Sequence, residues 1–164
     1  MQIHLRPFQE SDLPVLAQWC RAIQAEQYMS RTAPYGYLDK ALIQSPGLLW
    51  YVIEADGLPC GTVWLEKESN VSRTATLGIL LGETSLLGKG IGQQAIKLAL
   101  QAALHSNFAD TVRLNVRQSN PRATACYEKC GFHITQTGAK QRDGQAPIPY
   151  YEMQLSLKSV YSSA

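Results

Sequence analysis

The chain has 164 residues, with 15 Lys and Arg against 13 Asp and Glu and 45% hydrophobic residues, which reads as one domain with an ordinary core and excludes wholesale disorder. Apolar runs such as Leu48-Leu49-Trp50-Tyr51-Val52-Ile53 are too short to span a bilayer, and the N-terminus shows no basic segment followed by an apolar one. A net charge of +2 is too small to argue for nucleic acid, so the expectation is a cytoplasmic protein with neither nucleic acid nor membrane as partner.

The first segment, Gln2 to Arg6, alternates polar and apolar residues and reads as a strand ended by Pro7. Ser11 can cap a helix carrying Leu13, Leu16, Ala17, Cys20 and Ile23 at helical spacing. A turn-rich stretch, Met29 to Gly36, leads to a weaker helix over Tyr37 to Gln44. Leu48 to Ala55 reads as a strand, Asp56-Gly57 as a hairpin turn, and Cys60 to Lys67 as the returning strand. After a polar connection, Thr74 to Leu81 is a further strand. Strand, helices, hairpin, strand is not an alternating βαβα order. It predicts an α+β type of α/β fold, with a mixed, mostly antiparallel central sheet flanked by helices.

Gly82 to Gly90 is a glycine-bearing loop, followed by a long helix with Ile91, Ala95, Leu98, Ala99, Ala102 and Ala103 on one side, ending near Ser106-Asn107. Thr111 to Arg117 alternates as a strand, with Val112, Leu114 and Val116 facing one way. Asn120-Pro121 opens the next helix and Gly131 closes it. His133 to Lys140 and Pro149 to Leu157 read as closing strands around a polar turn, Gln141 to Ala146. Residues 1–158 form a single domain in this reading, and 159–164 a frayed tail.

The cysteines are Cys20, Cys60, Cys126 and Cys130. Cys126 and Cys130 lie one helical turn apart with side chains running parallel, a poor geometry for a bridge. No second Cys/His pair with ligand spacing follows, so no metal is expected. The thiols read as small buried hydrophobes in a reducing compartment.

Gly88-Lys89-Gly90-Ile91-Gly92 stands between a strand and a helix. The first turn of a helix leaves backbone N–H groups unpaired and adds the positive end of the helix dipole. Glycines remove the Cβ atoms that would hold a phosphate away. Such a loop suits a pyrophosphate, with Lys89 as an added cation. Five residues between Gly82 and Gly88, and no hydroxyl after Lys89, argue against a nucleotide-binding P-loop. Gln93 stands where a G-x-G-x-x-G dinucleotide fingerprint needs glycine, and the parallel βαβ setting is absent.

A second motif follows at Ser119-Asn120-Pro121-Arg122-Ala123-Thr124-Ala125-Cys126-Tyr127-Glu128-Lys129-Cys130-Gly131-Phe132. Together with Gly88-Lys89-Gly90-Ile91-Gly92-Gln93-Gln94-Ala95 it resembles the GCN5-related N-acetyltransferase (GNAT) superfamily. That family carries R/Q-x-x-G-x-G/A and then N-x-x-A-x-x-x-Y-E-K-x-G-F. The order of elements fits the family nearly from end to end. The resemblance implies acetyl-CoA as co-substrate, with backbone N–H groups from Leu87, Gly88, Lys89, Gly90, Ile91 and Gly92 on its pyrophosphate. It implies a splayed strand at Ile79, Leu80 and Leu81 that pairs with the pantetheine arm. Asn120 would contact the pantetheine region and Tyr127 the sulfur, and Lys129 or Arg122 would reach the 3′-phosphate. The chain departs from the pattern at Leu87, where the family has Arg or Gln, and the loop from Leu81 to Gly88 is one residue longer than is common.

Acetyl transfer to an amine needs a deprotonated amine, a donor to the thioester oxygen and a proton for the departing thiolate. Much of the rate can come from holding the two reactants together. The candidate acid is Tyr127. The candidate base is Glu66 on the third strand, with Glu68, Glu152 and a water chain as alternatives; His133 reads better as an ordinary strand residue. Tyr28, Tyr35, Tyr37, Tyr150 and Tyr151 are candidates for a pocket that receives a cation. The function implied is acetyl transfer to a primary amine of a small molecule. The alternatives are acetylation of a protein N-terminus, as on ribosomal proteins, and a non-catalytic acyl-CoA sensor. Relatives are often dimers, so a homodimer stands among the expectations.

Overall fold

A computed structural model describes residues 1–22, 33–34, 43 and 45–161, apart from the side chains of residues 84 and 142. The weaker helix expected over Tyr37–Gln44 and the turn-rich stretch Met29–Gly36 lie almost wholly outside the described residues, as do Ile23, Tyr28, Tyr35 and Tyr37.

The described strands are β1 (Ile3–Pro7), β2 (Leu48–Ala55), β3 (Leu58–Lys67), β4 (Thr74–Leu81), β5 (Thr111–Arg117), β6 (His133–Arg142) and β7 (Gln145–Ser156). They form one sheet in the order β1-β2-β3-β4-β5-β7-β6. Every neighbouring pair is antiparallel except β4–β5, which is parallel. The helices are α1 (Leu13–Ala22), α2 (Ile91–His105), α3 (Pro121–Lys129) and α4 (Leu157–Tyr161). This is the mixed, mostly antiparallel architecture that the element order implies.

Period-2 alternation divides the sheet into two faces. On one, α2 buries Ile91, Ala95, Ile96, Ala99, Leu100 and Ala103 in the cluster that holds Val63, Leu65, Ala75, Leu77, Val112 and Leu114. Small alanines let the helix approach the strands closely. On the other face, Leu16 and Trp19 of α1 pack with Trp50, Val52, Trp64 and Leu80, and Phe8 stacks on Trp50 with ring centroids 3.7 Å apart. Gly78 lacks a side chain for a packing reason: the Trp64 ring occupies the place of its Cβ. Gly78→Ala forces that indole to move. We expect a loss of about 1–3 kcal/mol, read from urea unfolding.

Several boundaries differ from the sequence reading, each for a physical reason. β3 begins at Leu58 rather than Cys60, because Asp56 (φ 50°) and Gly57 (φ 84°) alone make the left-handed turn. The β6–β7 hairpin extends to Arg142 and Gln145, closed by Asp143 and Gly144 (φ 68°). Its outer half is exposed, so no alternation of polarity marked it. Residues 159–161, expected to fray, belong to α4, where the Tyr161 hydroxyl donates to the Cys130 carbonyl at 2.6 Å.

Ser11 is not the cap of α1. It lies within a 3₁₀ turn, Glu10–Asp12, that leads into the helix. Asp12 organises this entry. Its carboxylate accepts from the Gln9 N–H at 2.8 Å and from two Arg6 nitrogens at 2.9 and 2.8 Å. The Arg6 hydrogen bonds hold the Asp12 carboxyl below the usual carboxylate range, against the opposing effect of burial. A depressed folded pKa means that this stability is present at neutral pH and lost as pH falls through the folded value. Asp12→Asn should therefore cost about 1–3 kcal/mol at neutral pH. In urea unfolding that difference should shrink between about pH 5 and pH 2.

Candidate active site

The one parallel contact in the sheet is short. β4 and β5 pair only at Thr74–Thr111, Ala75–Val112 and Thr76–Arg113. Past Thr76, β4 stays with β3 as far as Leu81, and past Arg113, β5 stays with β7 as far as Arg117. The two strands therefore part and leave a wedge between them. The Gly82 N–H donates to the Cys60 carbonyl of β3 at 2.7 Å. Alternation then turns the main-chain groups of Leu80 toward β3 and those of Ile79 and Leu81 toward the wedge. This corrects the expected trio: Leu80 bonds within the sheet, and its side chain is buried on the α1 face.

Below the wedge lies a cleft of about 490 Å³, walled by Ile79 and Leu81, by the loop before α2, and by α3 from Asn120 to Lys129. Of the residues expected there, Leu87, Gly88, Gly90, Ile91, Gly92, Asn120, Tyr127 and Lys129 all line it. Lys89 is exposed and does not. Sequence reading missed Leu86, Gln93, Ile96, Ala123, Ala125 and Cys126 as lining residues. Helical spacing was the available signal for α3, since Arg122, Cys126 and Lys129 recur on one side.

The loop has the backbone that a bound anion needs. Gly88 (φ 77°) and Gly90 (φ 80°) are left-handed, and Gly90 is the N-cap of α2 with no side chain capping the first turn. A Cβ on Gly88 would meet nothing within 4 Å, and one on Gly90 only the Gln94 side-chain nitrogen at 4.0 Å. The Cβ positions of Gly88 and Gly90 are thus open, both glycines line the cleft, and the residues present fit a pyrophosphate.

α3 starts where expected. The Asn120 side chain accepts from the Ala123 N–H at 3.2 Å, and Pro121 takes the first helical position. Gly131 (φ 107°) closes the helix. Tyr127 sets its ring edge-on to Phe132, centroids 6.0 Å apart. Burial pushes its phenol well above the ordinary tyrosine value, and the neighbouring Cys126 and Cys130 add to this. Such a phenol stays protonated at neutral pH and has a proton to donate. The Cys126 thiol is drawn down, chiefly by a hydrogen bond from Cys130, while Cys130 is pushed up.

Glu66 and Glu152 lie on the sheet face opposite α2. Glu66 is half-buried and opposite Thr76, the last residue of β4 that pairs with β5. It stands one strand from the wedge and outside the cleft. Glu68 is exposed and beyond the end of β3. His133 is the exposed first residue of β6. Glu152 is buried, 7% exposed. It accepts from Gln136 and from Gln154 (3.1 Å), and Arg113 Nε lies 3.3 Å away. The two tyrosines of β7 separate: Tyr151 packs toward the α2 core, and Tyr150 lies across Gly138 on the opposite face. Among the described residues no group of three or more His, Cys, Asp and Glu could hold a metal ion, and no helix is long and apolar enough to cross a membrane.

Comparisons with known proteins converge on this arrangement. Residues 2–133 match the acetyltransferase (GNAT) domain family. An aminoglycoside N(6')-acetyltransferase type 1 from Klebsiella pneumoniae is 24% identical over 149 residues, which cover 79% of this chain and 73% of that protein. Among solved structures, spermidine N-acetyltransferase from Vibrio cholerae, in complex with CoA and spermine, superposes with a TM-score of 0.80 at 22% identity, covering 99% of each chain. The aminoglycoside acetyltransferase AAC(6')-Ib with coenzyme A and kanamycin gives a TM-score of 0.77 at 23% identity, covering 99% of this chain and 100% of that one. A strand pair that parts over a glycine loop, and a family match across most of the length, lead to one conclusion: the chain belongs to the GNAT family of acetyltransferases.

Proposed function

We propose that this acetyltransferase moves the acetyl group of acetyl-CoA onto the primary amine of a small molecule. The observation that carries the reading is the wedge between β4 and β5, with the glycine loop at its foot and Tyr127 beside it. The relatives named above are aminoglycoside and spermidine acetyltransferases, which supports a small-molecule amine as acceptor. The four free thiols suit the reducing cytoplasm as its place of action.

In this reading the main-chain amides from Leu87 to Gly92 hold the pyrophosphate, and the Leu87 side chain packs beside it. Loss of the family's Arg or Gln there matters little, because the loop works through the main chain. Ile79 and Leu81 offer their N–H and C=O groups to the pantetheine arm as a neighbouring strand would. Asn120 flanks the same arm, and Lys129 lies at the α3 end of the cleft for the 3′-phosphate. The thioester of acetyl-CoA supplies the acetyl group when bound. The amine arrives from the sheet face opposite α2, with Glu66 as base, directly or through water. Tyr127 donates its phenolic proton to the departing thiolate.

The test is release of free CoA thiol from acetyl-CoA across a panel of small amines and of peptides with free N-termini. The expected result is turnover with small amines. Turnover confined to peptides would favour an N-terminal protein acetyltransferase. Tight acetyl-CoA binding with no release for any acceptor would favour a sensor.

A further inference from the structure

Two thiols, Cys126 and Cys130, stand at the cleft and have no part in acetyl transfer. A Cβ on Gly92 would lie 3.9 Å from Cys126 Sγ and 3.8 Å from Ile79 Cδ1. The thiol, the first turn of α2 and the Ile79 side chain of β4 therefore meet across the side chain that Gly92 lacks. In the proposed site that turn holds the pyrophosphate and Ile79 flanks the pantetheine arm, so Cys126 stands where the two parts join. It lines the cleft and is half-buried, whereas Cys60 and Cys130 are closed off at 8% and 1% exposure. Cys20, the other half-buried thiol, packs with the α1 cluster on the opposite face of the sheet.

A thiol attacks as its thiolate, and cysteines that exchange disulfides are partly exposed and sit among positive charges. Cys126 meets both conditions. The hydrogen bond with Cys130 draws its thiol down against the effect of burial, and Lys129 of α3 and Lys97 of α2 add to this. Arg122, one turn before Cys126, lines the same cleft. Cys130 is a poor resolving partner. It is buried, its Sγ lies 3.7 Å from the Gln93 carbonyl oxygen, and it runs parallel to Cys126 one turn away. No other thiol among the described residues lines the cleft. A disulfide formed at Cys126 therefore persists until an outside thiol removes it.

We propose that Cys126 is a modification site that governs the entry of acetyl-CoA: its thiolate exchanges with a small anionic disulfide of the glutathione kind, and the adduct fills the cleft. Cys126 Sγ attacks one sulfur of R–S–S–R. A Cys126–S–S–R bond forms, the old S–S bond breaks, and the departing R–S⁻ takes up a proton from water. The disulfide is itself the oxidant. A cleft of about 490 Å³ is the size of a site for one ligand. A tripeptide fixed at its junction leaves no path for the pantetheine arm. The same position covers the thiol once acetyl-CoA is bound. The inference rests on acetyl-CoA entering this cleft and adds a control on that step.

The full chain is incubated with glutathione disulfide at neutral pH and freed of excess reagent. Intact mass, peptide mapping and calorimetry with acetyl-CoA are the readouts. We expect one glutathionyl group per chain, on Cys126, and loss of measurable acetyl-CoA binding. Dithiothreitol should restore binding in full. Acetyl-CoA added first at about ten times its Kd should slow the modification about tenfold, since only the free protein reacts. In Cys126→Ser and Cys126→Ala, treatment should leave the acetyl-CoA affinity of each variant where it stood beforehand. Cys20→Ser should respond as the unaltered chain does. No adduct, an adduct at Cys20 alone, a Cys126–Cys130 disulfide in its place, or an adduct on Cys126 with unchanged acetyl-CoA affinity overturns the proposal and leaves the cofactor cleft intact. No acetyl-CoA binding by the untreated, folded protein overturns both.

Discussion

Gly90→Val should abolish measurable acetyl-CoA binding while the protein stays folded. Gly90 is the N-cap of α2 at φ 80°, where an L-residue costs about 1–2 kcal/mol. That is small against the 5–15 kcal/mol of an ordinary domain. No clash in the free protein adds to it, since a Cβ there meets only the Gln94 side-chain nitrogen at 4.0 Å. The bound state is different. A branched side chain stands over the amides of Ile91 and Gly92, which a pyrophosphate must approach to hydrogen-bond distance. Each hydrogen bond to a charged group is worth about 1.5–3 kcal/mol. Losing two weakens binding by about 10²–10⁴-fold, at 1.4 kcal/mol per decade. Isothermal calorimetry on a variant with a native circular dichroism spectrum tests this. Unchanged affinity would remove the loop from the cofactor site.

Much of this architecture is legible in the sequence because local chemistry punctuates it. Asp56-Gly57 fixes the β2–β3 hairpin, Asn120-Pro121 and Gly131 bracket α3, and the alanine stripe of α2 declares its buried side. The wedge is legible only through the family resemblance, which implies a splayed strand at Ile79 to Leu81. It arises because β4 keeps its register with β3, and β5 with β7, beyond the three residues they share. No local pattern encodes where two strands stop pairing. The burial of Glu152 is hidden for a related reason: its partners Gln136 and Arg113 come from two other strands. Leu80 and Tyr151, by contrast, were open to a stricter use of alternation. Period 2 alone places Leu80 opposite to Ile79 and Leu81, and Tyr151 opposite to Tyr150. Cleft residues on α3 follow helical spacing from Asn120.

The last expectation concerns Tyr127. Its ring packs edge-on against Phe132, and Tyr127→Phe preserves that contact while deleting the hydroxyl alone. Burial holds the phenol in its protonated form, so the wild-type enzyme carries the donor throughout the working range. Any loss of rate in mild alkali must then come from a group other than Tyr127. A departing thiolate is a fairly stable anion, with a reference thiol pKa of about 8.5, so the proton assists more than it decides. General acid catalysis contributes about 10²–10⁴-fold, and the lower end suits so good a leaving group. Tyr127→Phe should therefore lower kcat about 10²-fold with acetyl-CoA affinity nearly unchanged. Steady-state kinetics with the best amine from the panel, paired with calorimetry of acetyl-CoA, separates the roles. A packing residue replaced by Phe would leave kcat where it was, and the proton would then have to come from water or another side chain. A fall in kcat at constant affinity assigns it to the Tyr127 hydroxyl.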